Sequence, residues 1–245
     1  MAITKANLTS GGDATNLNAY PTASITPSAN KLIIAVIGNV RGTVPATIPT
    51  LSGNGLTWVQ IETKLNAAEN RRITMFRAMG SSPSAEAITI DFGGVGQNNC
   101  SWSIFEFDGV DTTGTNGSGA VGQISTAATV LNTTSLDIIL LTFGSVNDGT
   151  CSGFIVADNI AIEPDADAGW AEIHESQVND GSGSQVLETQ WNPGNDLTCS
   201  ASWGSDESAA GIAFEIIAAG GGGGGAVAAP LGGRKKRRMM MGVGL

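Results

Sequence analysis

Carboxylates dominate the groups in this chain that can do chemistry, 22 Asp and Glu in 245 residues, and a single histidine accompanies them. A Ser-His-Asp relay would need His174, but no GxSxG elbow or other nucleophile signature accompanies it, so it is expected as a surface histidine of a strand. Glycoside hydrolysis needs two carboxylates at a definite separation. Glu62, Glu106, Asp108, Glu172, Glu175 and Glu188 offer pairs, and no spacing selects one. An enzyme is therefore not expected. The sharpest oxygen-rich loop is Glu163-Pro164-Asp165-Ala166-Asp167-Ala168-Gly169, where Asp165 and Asp167 beside a glycine suggest a weak Ca²⁺ site. It lacks the full ligand spacing of an EF-hand, and no other cofactor is expected. Among Trp58, Trp102, Trp170, Trp191 and Trp203, Trp191 stands next to Asn192-Pro193-Gly194 and is the candidate for an exposed, glycan-stacking ring. Cys100, Cys151 and Cys199 form no CxxC motif, and are expected as buried thiols with Cys151–Cys199 the one pair worth inspecting. Gly114–Gly119 follows no strand-to-helix pattern, which excludes a phosphate loop.

The strongest electrostatic feature is the pentad Arg234, Lys235, Lys236, Arg237 and Arg238, followed at once by Met239, Met240 and Met241. Residues 1–230 carry 7 basic against 22 acidic side chains, a net −15, while the last 15 residues carry +5. The body repels nucleic acid and anionic membranes, and the tail attracts them. Three uses follow for the pentad: phosphate contacts to packaged nucleic acid, docking on an acidic neighbour such as another copy's body, or solubility alone. The methionines favour a docking arm, because thioethers adapt to irregular apolar grooves.

The elements that must position these groups read as strands. Lys31–Val40, Thr57–Lys64, Arg72–Met79, Ala87–Phe92 and Ser101–Val110 are rich in β-branched or aromatic residues and are separated by Gly, Asn, Asp and Pro clusters. No helical stripe of a dozen residues occurs. The order of features then recurs: Leu32–Val40 is matched with Ile138–Val146, Leu56–Ile61 with Ala168–Ile173, Ile88–Gly93 with Cys199–Gly204, and Ile104–Phe107 with Ala213–Ile216. This predicts an all-β, antiparallel, jelly-roll-like β-sandwich with an internal two-fold duplication over residues 1–219. The halves fall at about 20–110 and 111–219 and could form two small sandwiches or one larger one; the strand edges that each half alone would expose favour one compact domain. The connecting segment is strand-like at Ala120–Val130. From Gly220 the six-glycine run and the basic tail form an extended C-terminal arm, residues 220–245. The first residues lack the basic and apolar regions of a signal peptide, and the apolar stretches are too short to span a bilayer, so neither secretion nor a membrane partner is expected.

The segments "ITPSANKLIIAVIG", "LSGNGLTWVQ", "RRITMFRAMG", "AITIDFGG" and "WSIFEFDGVD", in that order, resemble a β-sandwich domain found in tailed-phage structural proteins and bacterial surface proteins. The resemblance covers about residues 20–218 and carries no catalytic residues. It implies a virion structural protein of a tailed phage, a capsid decoration or capsid-associated protein assembled in the host cytoplasm. Its partners would be capsid or other virion proteins and further copies of itself, with nucleic acid touched only through the tail. The alternative is a carbohydrate-binding or adhesive module, extracellular or on a cell surface.

Overall fold

The computed structural model describes residues 2–220 except Leu131, Asn159 and Ser182. Sixteen strands account for nearly all its regular structure: β1 (Thr4–Asp13), β2 (Ala19–Ile25), β3 (Leu32–Val40), β4 (Thr50–Ser52), β5 (Val59–Leu65), β6 (Arg71–Ala78), β7 (Glu86–Asp91) and β8 (Asn99–Asp108) come first. They are followed by β9 (Val121–Ala128), β10 (Thr133–Ile139), β11 (Gly149–Ala157), β12 (Ile162–Glu163), β13 (Ala171–Asn179), β14 (Ser184–Asn192), β15 (Thr198–Glu207) and β16 (Ala209–Ile216). A single 3₁₀ turn, Ser118–Ala120, is the only helical piece among the described residues.

All pairings within the four sheets are antiparallel. One half forms a five-stranded sheet β1-β8-β3-β6-β5 and a three-stranded sheet β2-β7-β4, and the other forms β9-β16-β11-β14-β13 and β10-β15-β12. The two orders coincide when eight is added to each label. Both halves also carry a bulge at the same place, skipping Ile61 in β5 and Ile173 in β13. A jelly roll nests its strands as pairs 1–8, 2–7, 3–6 and 4–5. The first three pairs are present here, while β5 leaves β4 and joins the larger sheet beside β6. The first half begins at Thr4 rather than near residue 20, because β1 supplies the edge of its large sheet.

The two five-stranded sheets pack face to face, with β1 across from β13 and β5 across from β9. Each three-stranded sheet covers the outer face of its own partner, which gives four layers and three cores. Period-two alternation therefore sends side chains of one strand into two different cores. Leu32, Ile34 and Val36 of β3 enter the central core with Phe105, Phe107, Ile155, Leu187, Ile212 and Phe214. Ile33, Ala35 and Ile37 enter the first half's own core with Tyr20, Ile88 and Ile104. Phe154 and Val156 of β11 enter the second half's core with Ile138, Val186 and Trp203. This is why β3, β11 and β16 are buried from end to end.

Polar pairs pin the register across the central layer. Ser103 and Thr189 hydroxyls lie 2.9 Å apart, Gln185 Nε2 donates to Gly38 O at 3.2 Å, and Arg71 donates through Nε and Nη2 to Ser184 O at 2.9 and 2.7 Å. Gly153 lets the sheets approach closely: a Cβ there would lie 2.8 Å from Met75 Cε and 3.1 Å from Val36 Cγ1. Gly53, with φ +124°, takes a left-handed backbone in which a Cβ would meet Ala87 O at 2.5 Å.

Because the halves share the central core, they should unfold together. Phe214→Ala, which empties the middle of that core, should cost about 3–5 kcal/mol and leave a single urea transition shifted to lower concentration. Two separable transitions by tryptophan fluorescence and circular dichroism would contradict a shared core.

Candidate functional site

Most residues with chemical potential are committed to the architecture. Glu106 of β8 accepts the Ser28 N–H at 2.8 Å and the Ser28 hydroxyl at 2.7 Å, which ties down the chain entering β3. Glu215 holds the corresponding place in β16 and accepts the N–H groups of Gly144 and Gln123 at 3.4 and 3.3 Å. Asp108 is paired with Lys31, which together with the Gly109 N–H lowers its pKa. The three cysteines are free and buried. Cys151 belongs to the central core and Cys199 to the second half's own core, on opposite faces of the same sheet.

Trp191 was expected as an exposed ring, and the structure corrects this. Its position in β14, opposite Cys151 and Ala171, turns it toward the central core, where its ring lies 5.5 Å from that of Phe107 at 52°. The strand's alternation decides its direction, and the neighbouring Asn-Pro-Gly turn does not. Trp203 donates Nε1–H to Thr133 O at 2.7 Å and Trp170 to Asp196 Oδ2 at 3.0 Å, so these rings also serve packing.

The Asp165 carboxylate is occupied from within the chain. Oδ2 accepts the Ser200 N–H at 2.8 Å and Oδ1 accepts the Asp167 N–H at 2.9 Å, so the loop is stapled to β15. Asp167 itself is exposed. Among the described residues no three His, Cys, Asp or Glu side chains come together to hold a metal ion. A Ca²⁺ site built on Asp165 and Asp167 therefore has no third protein carboxylate to draw on.

One carboxylate stands apart. Glu188 of β14 is 0% exposed, and neither of its oxygens has a hydrogen-bond partner of good geometry, the Thr189 N–H giving only minor opposition to its raised pKa. It faces the second half's own core beside Phe154 and lies directly opposite Glu175 of β13. Burial raises its pKa from 4.5 to about 10, and the nearby charges of Glu172, Glu175 and Glu163 raise it further. At neutral pH it is a buried, protonated acid. Of these three neighbours Glu172 and Glu163 are exposed, while Glu175 Oε2 accepts the Ile162 N–H at 2.6 Å and Oε1 accepts from Gln177 at 2.8 Å. His174, on the same strand, has its pKa lowered by burial against the opposing pull of Glu172 and Glu175. Nothing in the local sequence VLETQW marks Glu188 as unpaired, beyond its place in a strand with apolar neighbours on both sides.

Charge is divided unequally between two halves of matching topology. Residues 1–110 contain seven basic and seven acidic side chains, whereas residues 111–219 contain fifteen acidic and no Lys or Arg. All of the body's −15 therefore belongs to the second half. Simple counting by half finds this feature, which averaging over the body conceals. Arg71 of the first half reaches the seam, where Glu207, Asp158 and Asp180 act on it. The candidate arm residues Arg234, Lys235, Lys236, Arg237, Arg238, Met239, Met240 and Met241 lie outside the described residues.

The chain is thus an all-β antiparallel sandwich protein with one acidic half. No family model, no curated protein and no solved structure matches it.

Glu188 makes stability depend on pH with a definite sign. A raised folded-state pKa means that its contribution is fully present below about pH 4.5 and is lost as pH rises toward about 10. At about 1.4 kcal/mol per unit, keeping it protonated at pH 7 costs on the order of 3 kcal/mol. Glu188→Gln should therefore be the more stable protein at pH 7, with a flatter profile from pH 5 to 9 by urea titration. Equal stability and equal slope for the two proteins would show that Glu188 is ionised and solvated.

Proposed function

We propose that this chain is a structural protein of a tailed-phage virion, a capsid decoration or capsid-associated protein. In this reading it assembles in the host cytoplasm and is held in the particle by residues 220–245. Its partners are capsid or other virion proteins and further copies of itself, with nucleic acid contacted only through the tail. The two halves are copies of one ancestral sandwich.

The observation that carries this reading is where the chain leaves the body. Val110 and Ala218 form a β-bridge, Asp111 N–H donates to Ile217 O at 2.8 Å, and Ala219 N–H donates to Gly109 O at 2.8 Å. The exit at Gly220 is thus fixed at the seam between the halves, and the five clustered basic residues follow within the next 25. A rigid body with a charged segment fixed at one point suits attachment to a larger assembly. Its buried carboxylates and tryptophans serve folding, which leaves surface charge as the main means of recognition. The sandwich resemblance of Ser24–Val110 supplies the setting.

Deleting residues 220–245 should leave a body with unchanged circular dichroism that no longer joins the particle. Particles fully occupied by the truncated protein would overturn attachment through the arm.

A further inference from the structure

The outer face of the second half combines negative charge with uncovered apolar side chains. In the sheet β10-β15-β12, Asp137 of β10 and Glu163 of β12 are exposed on either side of β15, and Asp167 lies in the loop beside them. A shallow groove lined by Ser135, Asp165, Asp167, Ser200 and Ser202 lies on this face. Beyond Asp137 the exposed side of β10 becomes apolar. Ile139 pairs with Thr198, next to Leu197, and Leu197 O accepts the Leu140 N–H at 2.8 Å. Leu141 follows, held by two hydrogen bonds to the Gln123 side chain at 2.7 and 2.6 Å. Ile139 is 59% exposed and Leu141 78%, and six of the eight large exposed hydrophobic side chains among the described residues belong to this half. An acidic groove on the same face as uncovered leucine and isoleucine calls for an occupant that is basic and then apolar.

We infer that this groove seats the chain's own C-terminal arm, with Arg234–Arg238 over Asp137, Glu163 and Asp167 and with Met239–Met241 over Ile139, Leu141 and Leu197. Three observations select this occupant. The charges are complementary and of opposite extremes within one chain, +5 in the arm against −15 in residues 111–219. The order of chemistry along the arm, basic and then methionine, matches the order of the exposed residues Asp137, Ile139 and Leu141 at the end of β10. The exit also lies near the apolar end: Ala218 N–H is bound by Asp148 at 2.9 Å, and the adjoining β11 contacts the 194–196 loop through Thr150, which donates to Asp196 O at 2.9 Å. Arg234 follows Gly220 by 14 residues, a reach of at most ~50 Å. Attachment to the same chain keeps the arm at high local concentration beside the groove. A seated arm is withheld from nucleic acid and from neighbours until an assembly surface displaces it.

This inference stands independently of the virion reading. Particles that accept the truncated chain would remove that reading and leave this one, and the outcomes below would do the reverse.

The test is zero-length carbodiimide coupling of the full chain, using an equal mixture of ¹⁴N- and ¹⁵N-labelled protein at low ionic strength, with linked peptides read by mass spectrometry. Lys235 and Lys236 should couple to Asp137, Glu163 or Asp167 in peptides of one label. Those links should fall several-fold in molar salt and in the triple variant Asp137→Asn, Glu163→Gln, Asp167→Asn. As a second measurement, Ile139→Ser with Leu141→Ser should raise the peroxide oxidation rate of Met239–Met241 several-fold while leaving the melting curve of the body in place. Links mainly between different labels, links mainly to carboxylates of residues 1–110, or no arm links at all would overturn the inference. So would methionine oxidation that is indifferent to the serine variants.

Discussion

Everything in this structure depends on the contact between the two five-stranded sheets. Each sheet has an inner face whose middle is apolar, bordered by polar pairs such as Ser103 with Thr189 and Gln185 with Gly38, and neither three-stranded sheet is placed to cover it. Leu32, Ile34, Val36, Met75, Phe105 and Phe107 from one half leave water only by meeting Ile155, Leu187, Ile212, Phe214 and Ile216 from the other. The same contact explains the uninterrupted burial of β3, β11 and β16, and the glycine at residue 153, where a Cβ would crowd Met75 of the facing sheet.

That constraint also settles what the chemically able residues do. Glu106 and Glu215 anchor the loops that feed β3 and β11, and Asp165 staples its loop to β15. Trp191 fills the central core against Phe107. With these groups engaged in holding the layers, recognition falls to the surface, where the two halves differ most. Their strand order is shared, but one is neutral in sum and the other carries fifteen carboxylates and no cation. Matching strand orders thus carry unlike charge, neutral in one half and −15 in the other.

The strand content was legible because β-branched and aromatic runs are strong local signals, and β3, β5, β6, β7 and β8 fall where those runs predict. Three of the four residue matches between the halves land on strands of equal rank: β5 with β13, β7 with β15 and β8 with β16. The fourth does not. Ile138–Val146 spans the end of β10 and a loop, and the strand at the place of β3 is β11. Its first half, Gly-Thr-Cys-Ser-Gly, carries little hydrophobicity because small side chains are needed where the sheets approach, so the apolar signal was borrowed from the neighbouring strand. β1 was missed for a similar reason, since an edge strand of Thr, Asn, Ser and Gly needs no apolar pattern. The inward turn of Trp191 and the solitude of Glu188 depend on register and on partners distant in sequence, and composition reports neither.

The central claim is that neither half can satisfy its inner face alone. Producing residues 1–110 by themselves tests it most directly. The account predicts a fragment that self-associates or stays loosely packed, with no cooperative urea transition and with fast amide exchange in β3 and β8. A monomeric fragment with a sharp transition and strong protection in those strands would contradict it.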